Sequence, residues 1–442
     1  MSVAEVQEST ITATTDKRQA TNAMIASLLG WSLDLFDLFI LLYVAPVLGT
    51  LFFPSSNPTL SLAAVYASFA VTLLMRPVGS AVFGHYADLH GRKGAMLIAI
   101  VGVGITTAAF GLLPTIAQVG VIAPVIFLVL RLVQGVFVGG VVASTHTIGT
   151  ESVPMQYRGL MSGLIGGGGA GIGALLSSII FLITSSIFPG DAFAVWGWRF
   201  MFFSGLLSSL LGWFIFRGLE ESPYFQEQQR KKAAAKASAL ASPVKEVFST
   251  HRNVLLLNLL ITFGGGAGYY LTSGYLPTFL KVVSKIPSDT ASLILIAGSF
   301  IVIIASVIAG HLSTLWGRKR TLLILALIRI VLLPLCYIEM RGTQDIGTLA
   351  FWGLLLTFFG NAGYAPLVIF LNERFPTALR ATGTGLSWNI GFAIGGMMPI
   401  FVSLFSATPA DLPNMLAIFC FGISVLFLAG ALVIPETKDN LK

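Results

Sequence analysis

The sequence is poor in charged residues and in cysteine. Only 10% of its 442 residues are Asp, Glu, Lys or Arg, whereas soluble globular proteins carry about 25%. Its two cysteines, Cys336 and Cys420, both lie in apolar runs, which argues against a fold held together by disulfides. Residues 1–22 contain no apolar core followed by a small-residue cleavage site, so no cleavable signal peptide is predicted.

What the sequence has instead is long apolar runs. Hydrophobic residues make up 55% of the chain and the mean hydropathy is +0.86, more apolar surface than a soluble fold of this size can bury. Runs of about 20 apolar residues can cross a bilayer as helices. The prediction is an all-α membrane protein with twelve transmembrane helices. They are predicted near residues 23–51, 60–84, 94–114, 121–145, 158–186, 197–216, 254–280, 289–311, 320–340, 349–371, 380–405 and 413–434.

The net charge of +7 is compatible with an anionic polymer as partner or with a fixed membrane orientation. If the N-terminus is cytoplasmic, 19 of the 26 Lys and Arg residues fall in cytoplasmic segments, 4 on the opposite side and 3 inside helices. The positive-inside rule explains this bias. We therefore predict that both termini are cytoplasmic, and that nucleic acid is not a partner.

Two polar stretches occur twice. GHYADLHGRK at 84–93 returns as GHLSTLWGRK at 310–319 with six of ten residues unchanged, and ESVPMQYRGLMSG at 151–163 returns as ERFPTALRATGTG at 373–385. Similar offsets predict two homologous six-helix halves, with a binding site between them near the membrane midplane. The predicted divisions are an N-terminal tail (1–22), a first bundle (23–216), a linker with an amphipathic surface helix (217–252), a second bundle (253–434) and a C-terminal tail (435–442).

The repeated stretches are expected to form corresponding cytoplasmic turns, because glycine permits tight reversals. Their charged side chains can bond to one another and latch the cytoplasmic face closed in one state. The simpler alternative is that these charges only set the topology. Thr314 stands in the second copy where the first has Asp88, so the second latch is expected to be weaker. The predicted latch residues are Gly84, Asp88, Gly91, Arg92, Lys93, Glu151, Arg158, Gly317, Arg318, Glu373 and Arg380.

Several motifs resemble those of a known family. Residues 84–93, with the pattern G-x-x-x-D-x-x-G-R-K, and RLVQGVFVGG at 131–140 are similar to the signature loop and the helix 4 motif of the major facilitator superfamily. Within it the chain resembles the metabolite:proton symporters, which carry citrate, 2-oxoglutarate, dicarboxylates, shikimate, proline and betaine. The residues behind this finer resemblance are LFFPSSNP (51–58), RPVGSAVFGHYADLHGRK (76–93), WGWRFMFF (196–203) and LEESPYFQE (219–227).

Two features depart from the symporter pattern. Val141 stands where those symporters have an acidic residue after the glycine pair of helix 4, and helix 1 has Asp34 where they have Glu. The stretch SLDLFDLF, which contains Asp34 and Asp37, resembles the sialate and monocarboxylate symporters instead. The substrate therefore stays open at this point.

Few ionisable residues lie inside the predicted helices, where a charge is costly and usually faces a partner or a cavity. Asp34 and Asp37 are three residues apart and share a helix face. Two neighbouring buried carboxylates favour the uptake of a proton, as proton coupling requires, and Asp34 is preferred because it lies deeper in helix 1. The alternative is a fixed ion pair with an arginine. The resemblance implies a role in proton transfer for Arg131 on helix 4.

Arg76 lies eight residues before Gly84, about 12 Å from that helix end at 1.5 Å per residue. Its guanidinium suits a substrate carboxylate, and the alternative is internal pairing with Asp34 or Asp37. Arg329 is expected to pack peripherally or to extend towards the membrane surface. His146 can act as a proton group, although a structural role is preferred.

The second half is expected to supply much of the remaining substrate pocket. Its helices contain polar and aromatic residues beside glycines, and the alternative for each of them is helix packing. Tyr269, Tyr275 and Trp388 are neighbours of these residues in the sequence. The predicted substrate-binding residues are Arg76, Tyr270, Asn361, Tyr364 and Asn389.

Together these features predict a secondary transporter, not an enzyme, that imports a small organic anion (a mono-, di- or tricarboxylate) with protons by alternating access. The alternatives are proton symport of a zwitterion such as proline or betaine, and an uncoupled facilitator or exchanger. GGGGAGIG at 166–173 matches G-x-G-x-x-G, but its place within an apolar helix indicates close helix packing. The expected partners are the substrate, protons and the lipid bilayer, with a proton gradient instead of a cofactor, no metal, a monomeric state and a bacterial inner membrane location.

Overall fold

The computed structural model describes residues 17–90, 92–151, 153, 155–217, 243–376 and 379–438. Within these ranges the regular structure is helical and contains no β-strand. The twelve main helices are α1 (Lys17–Phe52), α2 (Pro58–His90), α3 (Arg92–Phe110), α4 (Ile122–Glu151), α5 (Arg158–Ile187), α6 (Phe193–Phe214), α7 (Arg252–Val283), α8 (Ser288–Trp316), α9 (Arg318–Glu339), α10 (Ile346–Glu373), α11 (Thr382–Phe405) and α12 (Leu412–Val433).

These helices confirm the prediction of an all-α membrane protein with twelve spans. Eleven of them are long and apolar enough to cross a membrane, and the twelfth, α3, has a shorter apolar stretch at Gly94–Phe110. The chain is therefore a multi-pass membrane protein. The predicted surface helix of the linker falls mostly outside the described residues, which include only a short helix at Pro243–Ser249. Most of the predicted N-terminal tail and half of the predicted C-terminal tail also lie outside them.

In the part of the chain that the structure describes, the repeated polar stretches are mainly helical, so the predicted turns are shorter than these stretches. Residues 84–90 are the last turns of α2, and residues 310–316 are the last turns of α8. In the second copy the chain reverses at a single residue, Gly317, which has a φ of +98°. Glycine alone adopts this conformation without strain, so one residue separates α8 from α9.

The helices form two six-helix bundles, α1–α6 and α7–α12, which meet where α2 packs against α11 and α5 packs against α8. Glycine brings α5 and α8 close together. A Cβ atom on Gly159 would lie 2.5 Å from the Gly310 carbonyl oxygen, and one on Gly167 would lie 1.8 Å from Oγ of Ser306. The glycine stretch 166–173 thus serves close helix packing, as predicted.

Three helices of the second bundle are interrupted, and one of them is α11, which stops at Gly395 and starts again at Met398. In α7 the α-helical part ends at Tyr269 and a π-helical turn follows at Tyr270–Gly274. In α10 the helix stops at Ala362 and starts again after Gly363. Pro366 explains the break in α10, because proline has no amide hydrogen to donate to the carbonyl four residues earlier.

Candidate functional site

A small cavity lies between the two bundles, where α1 and α2 face α7, α10 and α11. The space inside it is enough for about one water molecule. A larger guest therefore requires the two bundles to move apart. The cavity is lined by Trp31, Asp34, Leu35, Arg76, Tyr269, Tyr270, Tyr364, Trp388 and Phe392.

Six of these nine residues are aromatic and form what we call the aromatic cage: Trp31, Tyr269, Tyr270, Tyr364, Trp388 and Phe392. The rings of Trp388 and Phe392 are stacked with their centroids 3.8 Å apart. Tyr364 meets Trp388 edge to face at 4.8 Å. Trp31, from the first bundle, lies 5.8 Å from Trp388. The cage is therefore complete only when the two bundles are in contact.

Arg76 and Asp34 form the polar side of the cavity. Nη1 of Arg76 lies 3.7 Å from Oδ2 of Asp34, which is too long for a hydrogen bond. The pair therefore lacks the two parallel hydrogen bonds of a tight Arg–carboxylate contact. Among the described residues, Oδ1 of Asp34, Nε of Arg76 and the hydroxyl of Tyr269 have no hydrogen-bond partner. The cavity thus offers an acidic acceptor, a cationic donor and a phenol.

Asp37 belongs to a different polar cluster, inside the first bundle. The Ser208 hydroxyl lies 3.2 Å from one of its carboxylate oxygens, and Thr107 is a second hydrogen-bonding neighbour. Nε2 of Gln134 donates to the Thr107 hydroxyl at 2.7 Å, and Nη1 of Arg131 donates to Oε1 of Gln134 at 2.7 Å. Arg131 is therefore linked to Asp37 through two uncharged side chains.

Arg131 itself is packed against aromatic rings. Its guanidinium carbon lies 4.1 Å from the ring centroid of Phe110 and 5.1 Å from that of Phe127. These contacts offset part of the cost of burying the charge. The structure thus separates the two aspartates that the sequence grouped together, because Asp34 faces Arg76 in the cavity whereas Asp37 is joined to the Arg131 chain.

Three of the predicted substrate residues line the cavity, and two join helices instead. Nδ2 of Asn361 donates to Oγ of Ser273 at 2.7 Å and so ties α10 to α7. Nδ2 of Asn389 lies 3.4 Å from Oγ of Ser80, across the boundary between the bundles. The residues that do line the cavity are Arg76, Tyr270 and Tyr364.

The predicted latch is described mainly in its second copy. Nε and Nη2 of Arg318 donate to the Glu373 carboxylate at 3.1 and 2.9 Å, and Nη1 bonds the Thr314 hydroxyl at 3.2 Å. Thr437, beyond α12, donates to the same carboxylate at 2.8 Å. Arg158 lies at the start of α5. Gly91 and the side-chain placement of Gly84, Asp88, Arg92, Lys93, Glu151 and Arg380 fall outside the described part.

The cavity is closed at both ends of the bundles. At the end opposite the latch, Tyr66 stacks on Tyr275 with a centroid distance of 5.2 Å, and its hydroxyl bonds that of Thr278 at 2.9 Å. On the latch side, the Ser162 hydroxyl donates to the Ala365 carbonyl at 3.0 Å. Both contacts cross from one bundle to the other, so the structure is an occluded arrangement.

Arg329 is buried, which overturns the expectation that it lies at the periphery. Its side chain is 1% exposed, and its guanidinium carbon lies 4.7 Å from the ring centroid of Phe427. The residue faces inwards because Gly268 leaves room for it, since a Cβ atom there would lie 1.6 Å from Nη2 of Arg329. The side chain of His146 is outside the described part of the chain.

Five residues of the two polar and aromatic clusters were not predicted: Trp31, Thr107, Gln134, Ser208 and Phe392. Three of them had a signal in the sequence. Trp31 lies three residues before Asp34, Gln134 lies three residues after Arg131, and Phe392 lies four residues after Trp388, so each shares a helix face with a residue already considered. The other two, Thr107 and Ser208, are small polar residues in apolar helices, and their spacing carried no such signal.

Two helical bundles around a central cavity with aromatic and charged walls have the architecture of a membrane transporter. The family follows from the sequence, because the Major Facilitator Superfamily model matches residues 22–396. The chain belongs to this superfamily, which confirms the resemblance of the signature motifs.

The relatives are bacterial transporters. The chain is 28% identical over 423 residues to the inner membrane metabolite transport protein YhjE of Escherichia coli, and the match covers 94% of each chain. It is 28% identical over 429 residues to the proline/betaine transporter of Salmonella typhimurium, covering 96% of this chain and 85% of that protein.

The same fold is seen in solved structures. The proton:xylose symporter XylE bound to 6-bromo-6-deoxy-D-glucose has a TM-score of 0.75 and 18% identity, over 96% of this chain and 97% of that one. A partially occluded inward open conformation of XylE from E. coli has a TM-score of 0.71 over 96% and 99%. At this identity the likeness shows the fold alone.

Proposed function

We propose that the protein imports, together with protons, a small zwitterion that carries a carboxylate and an alkylated ammonium group. The observation behind this proposal is that one cavity contains the aromatic cage, Arg76 and Asp34. Alkylated ammonium groups bind to the faces of aromatic rings, and several rings together form the usual cage for them. The guanidinium of Arg76 suits the carboxylate of the same molecule.

The charge balance of the cavity favours a zwitterion over the simple organic anion predicted from the sequence. The loose Arg76–Asp34 pair gives each pole of a zwitterion a partner of opposite sign, and the net charge of the site does not change. An anion would place a second negative charge beside Asp34 in an apolar site, where unpaired charge is costly. The proline and betaine named for the Salmonella relative support the same choice.

We assign the proton to Asp37 instead of Asp34. Asp37 is 3% exposed, and its described neighbour Ser208 is uncharged, so the neutral acid is compatible with its surroundings. When the proton leaves, the hydrogen-bonded side chains of Thr107 and Gln134 connect the carboxylate to Arg131, whose positive charge stabilises the ionised form. Asp34, which the sequence favoured, is engaged with Arg76 on the substrate side.

In the proposed cycle the bundles open first at the end that carries Tyr66, and a proton binds to Asp37. The zwitterion then inserts between Arg76, Asp34 and the aromatic cage. The bundles close around it as Trp31 approaches Trp388. The bundles separate next on the latch side, where the contact between Ser162 and Ala365 joins them, and the substrate and the proton leave on the predicted cytoplasmic side.

Replacing Trp388 by leucine tests the cage. Loss of a desolvated cation–π contact of about 2 kcal/mol weakens binding about 30-fold, so the affinity for glycine betaine is expected to fall by about that factor. Trp388→Phe keeps an aromatic face and is expected to retain most of the affinity. The measurement is uptake by purified protein in liposomes with a pH-sensitive dye inside, with glycine betaine, proline and succinate as substrates.

Trp213→Leu serves as the matched control, because Trp213 is 38% exposed and lies outside the cavity. It is expected to leave uptake unchanged. Internal acidification by glycine betaine that is lost in Trp388→Leu supports the proposal. Acidification by succinate and not by the zwitterions would contradict it and restore the organic anion as substrate.

A further inference from the structure

Arg329 is a buried charge that the cycle above does not use. Among the described residues, the Nε and Nη2 atoms of Arg329 have no hydrogen-bond partner. The ion pairs found among these residues do not include Arg329. The face of the Phe427 ring, 4.7 Å away, offsets part of the cost. An arginine inside a membrane protein is expensive to bury and commonly has a functional role.

The guanidinium lies where two helices are interrupted. Its Nη2 atom is 1.6 Å from the position that a Cβ atom of Gly268 would take, and its Nη1 atom is 3.5 Å from the corresponding position of Gly363. Gly268 immediately precedes Tyr269, where α7 changes to a π-helical turn. Gly363 is the residue at which α10 breaks. Arg329 therefore touches both interruptions at once.

The break in α10 supplies negative charge for this contact. Its first segment, Ile346–Ala362, ends at Gly363, and the C-terminal end of a helix carries partial negative charge that favours a cation. Pro366 also leaves the Ala362 carbonyl without its regular amide donor. The helix end thus offers the guanidinium a partial negative charge in place of a carboxylate.

The two interruptions carry three residues of the aromatic cage. Tyr269 and Tyr270 lie at the change in α7, and Tyr364 is the first residue after the break in α10. We propose that Arg329 is a positioning residue, and this inference rests on the function proposed above. Arg329 holds the two interrupted helices together, so that the three tyrosines face the substrate's ammonium group.

The test is Arg329→Met in the full-length protein in liposomes. Misplacing binding groups by about 1 Å costs up to about 100-fold, so we expect the KM for glycine betaine to rise by about 10- to 100-fold. The maximal rate and the melting temperature should change much less. Arg329→Lys, which keeps the charge, should recover part of the affinity. Arg341→Met is the matched control, because Arg341 is an exposed arginine just beyond the same helix.

A double-mutant cycle with Pro366→Ala decides whether Arg329 acts through the break in α10. Alanine returns an amide donor to the Ala362 carbonyl, so the break and its effect should both weaken. The combined effect of the two substitutions on KM is then expected to be smaller than the product of their separate effects, as for residues that act through one element. If Arg329→Met fails to fold, the cycle uses Arg329→Lys.

Three results would overturn this role. They are an unchanged KM in Arg329→Met, a loss of maximal rate and stability alone, and effects of Arg329 and Pro366 that multiply independently. If Trp388→Leu weakens binding while Arg329→Met does not, only this inference fails. If neither substitution affects glycine betaine, the proposed site itself fails.

Discussion

Asp37→Asn is expected to abolish the accumulation of substrate driven by a proton gradient, while substrate exchange across the membrane continues. Asparagine resembles the protonated acid and still accepts the Ser208 hydroxyl, which lies 3.2 Å from the carboxylate. The variant therefore behaves like a transporter whose residue 37 is permanently protonated. For one proton per substrate, a gradient of one pH unit supports about tenfold accumulation, because about 1.4 kcal/mol corresponds to a factor of ten. The accumulation ratio of the variant should fall to about one.

The measurement compares uptake of labelled glycine betaine into liposomes with an imposed pH gradient against counterflow without one. Ser208→Ala is the control, since it removes the neighbouring hydroxyl and keeps the acid, and it should retain coupled uptake. Asp34→Asn should lose affinity for the substrate while any remaining uptake stays coupled to protons. Coupling that survives in Asp37→Asn and disappears in Asp34→Asn would return the proton to Asp34.

Arg76→Gln is expected to weaken glycine betaine binding by two to three orders of magnitude. The substitution removes the partner of the substrate carboxylate and leaves Asp34 as a buried charge with no cation beside it. Removing one member of a buried ion pair costs about 3–5 kcal/mol. Part of this cost falls on the stability of the free protein, so the melting temperature should fall as well.

The double variant Arg76→Gln/Asp34→Asn separates the two effects. It removes both charges, so the melting temperature is expected to recover while binding stays weak. Arg76→Lys keeps the charge without the planar fork and should bind with intermediate affinity. Binding can be followed by the fluorescence of the cage tryptophans. Unchanged affinity in Arg76→Gln would show that the carboxylate binds elsewhere.

The helices and their number were predictable because a membrane span is a local property of the sequence. About 20 consecutive apolar residues are sufficient evidence, and no contact between distant residues enters. The repeated motifs identified the two halves because a repeat can also be recognised in the sequence without knowledge of any contact. The internal pairing of Arg76 with Asp34 was foreseen as an alternative, because few partners exist for a buried arginine. The extent of the predicted turns was overestimated because polar residues alone do not end a helix, and the reversal in the second stretch takes the single residue Gly317.

The site was harder to predict because its walls come from helices far apart in the sequence. Trp31 and Trp388 are in contact although more than 350 positions separate them. Residue type did not distinguish Tyr364, which lines the cavity, from Asn361, which bonds Ser273 in α7. Which face of a helix meets the cavity depends on how the bundles pack, and a single sequence contains little information on that.

The contact between Trp31 and Trp388 also has an optical consequence. Their indole rings, one from each bundle, lie 5.8 Å apart at 62°, close enough for their electronic transitions to couple. Coupled and mutually tilted chromophores give a pair of circular dichroism bands of opposite sign, and the coupling fades steeply as the rings separate. The unlabelled protein thus contains its own spectroscopic reporter of whether the two bundles are together or apart.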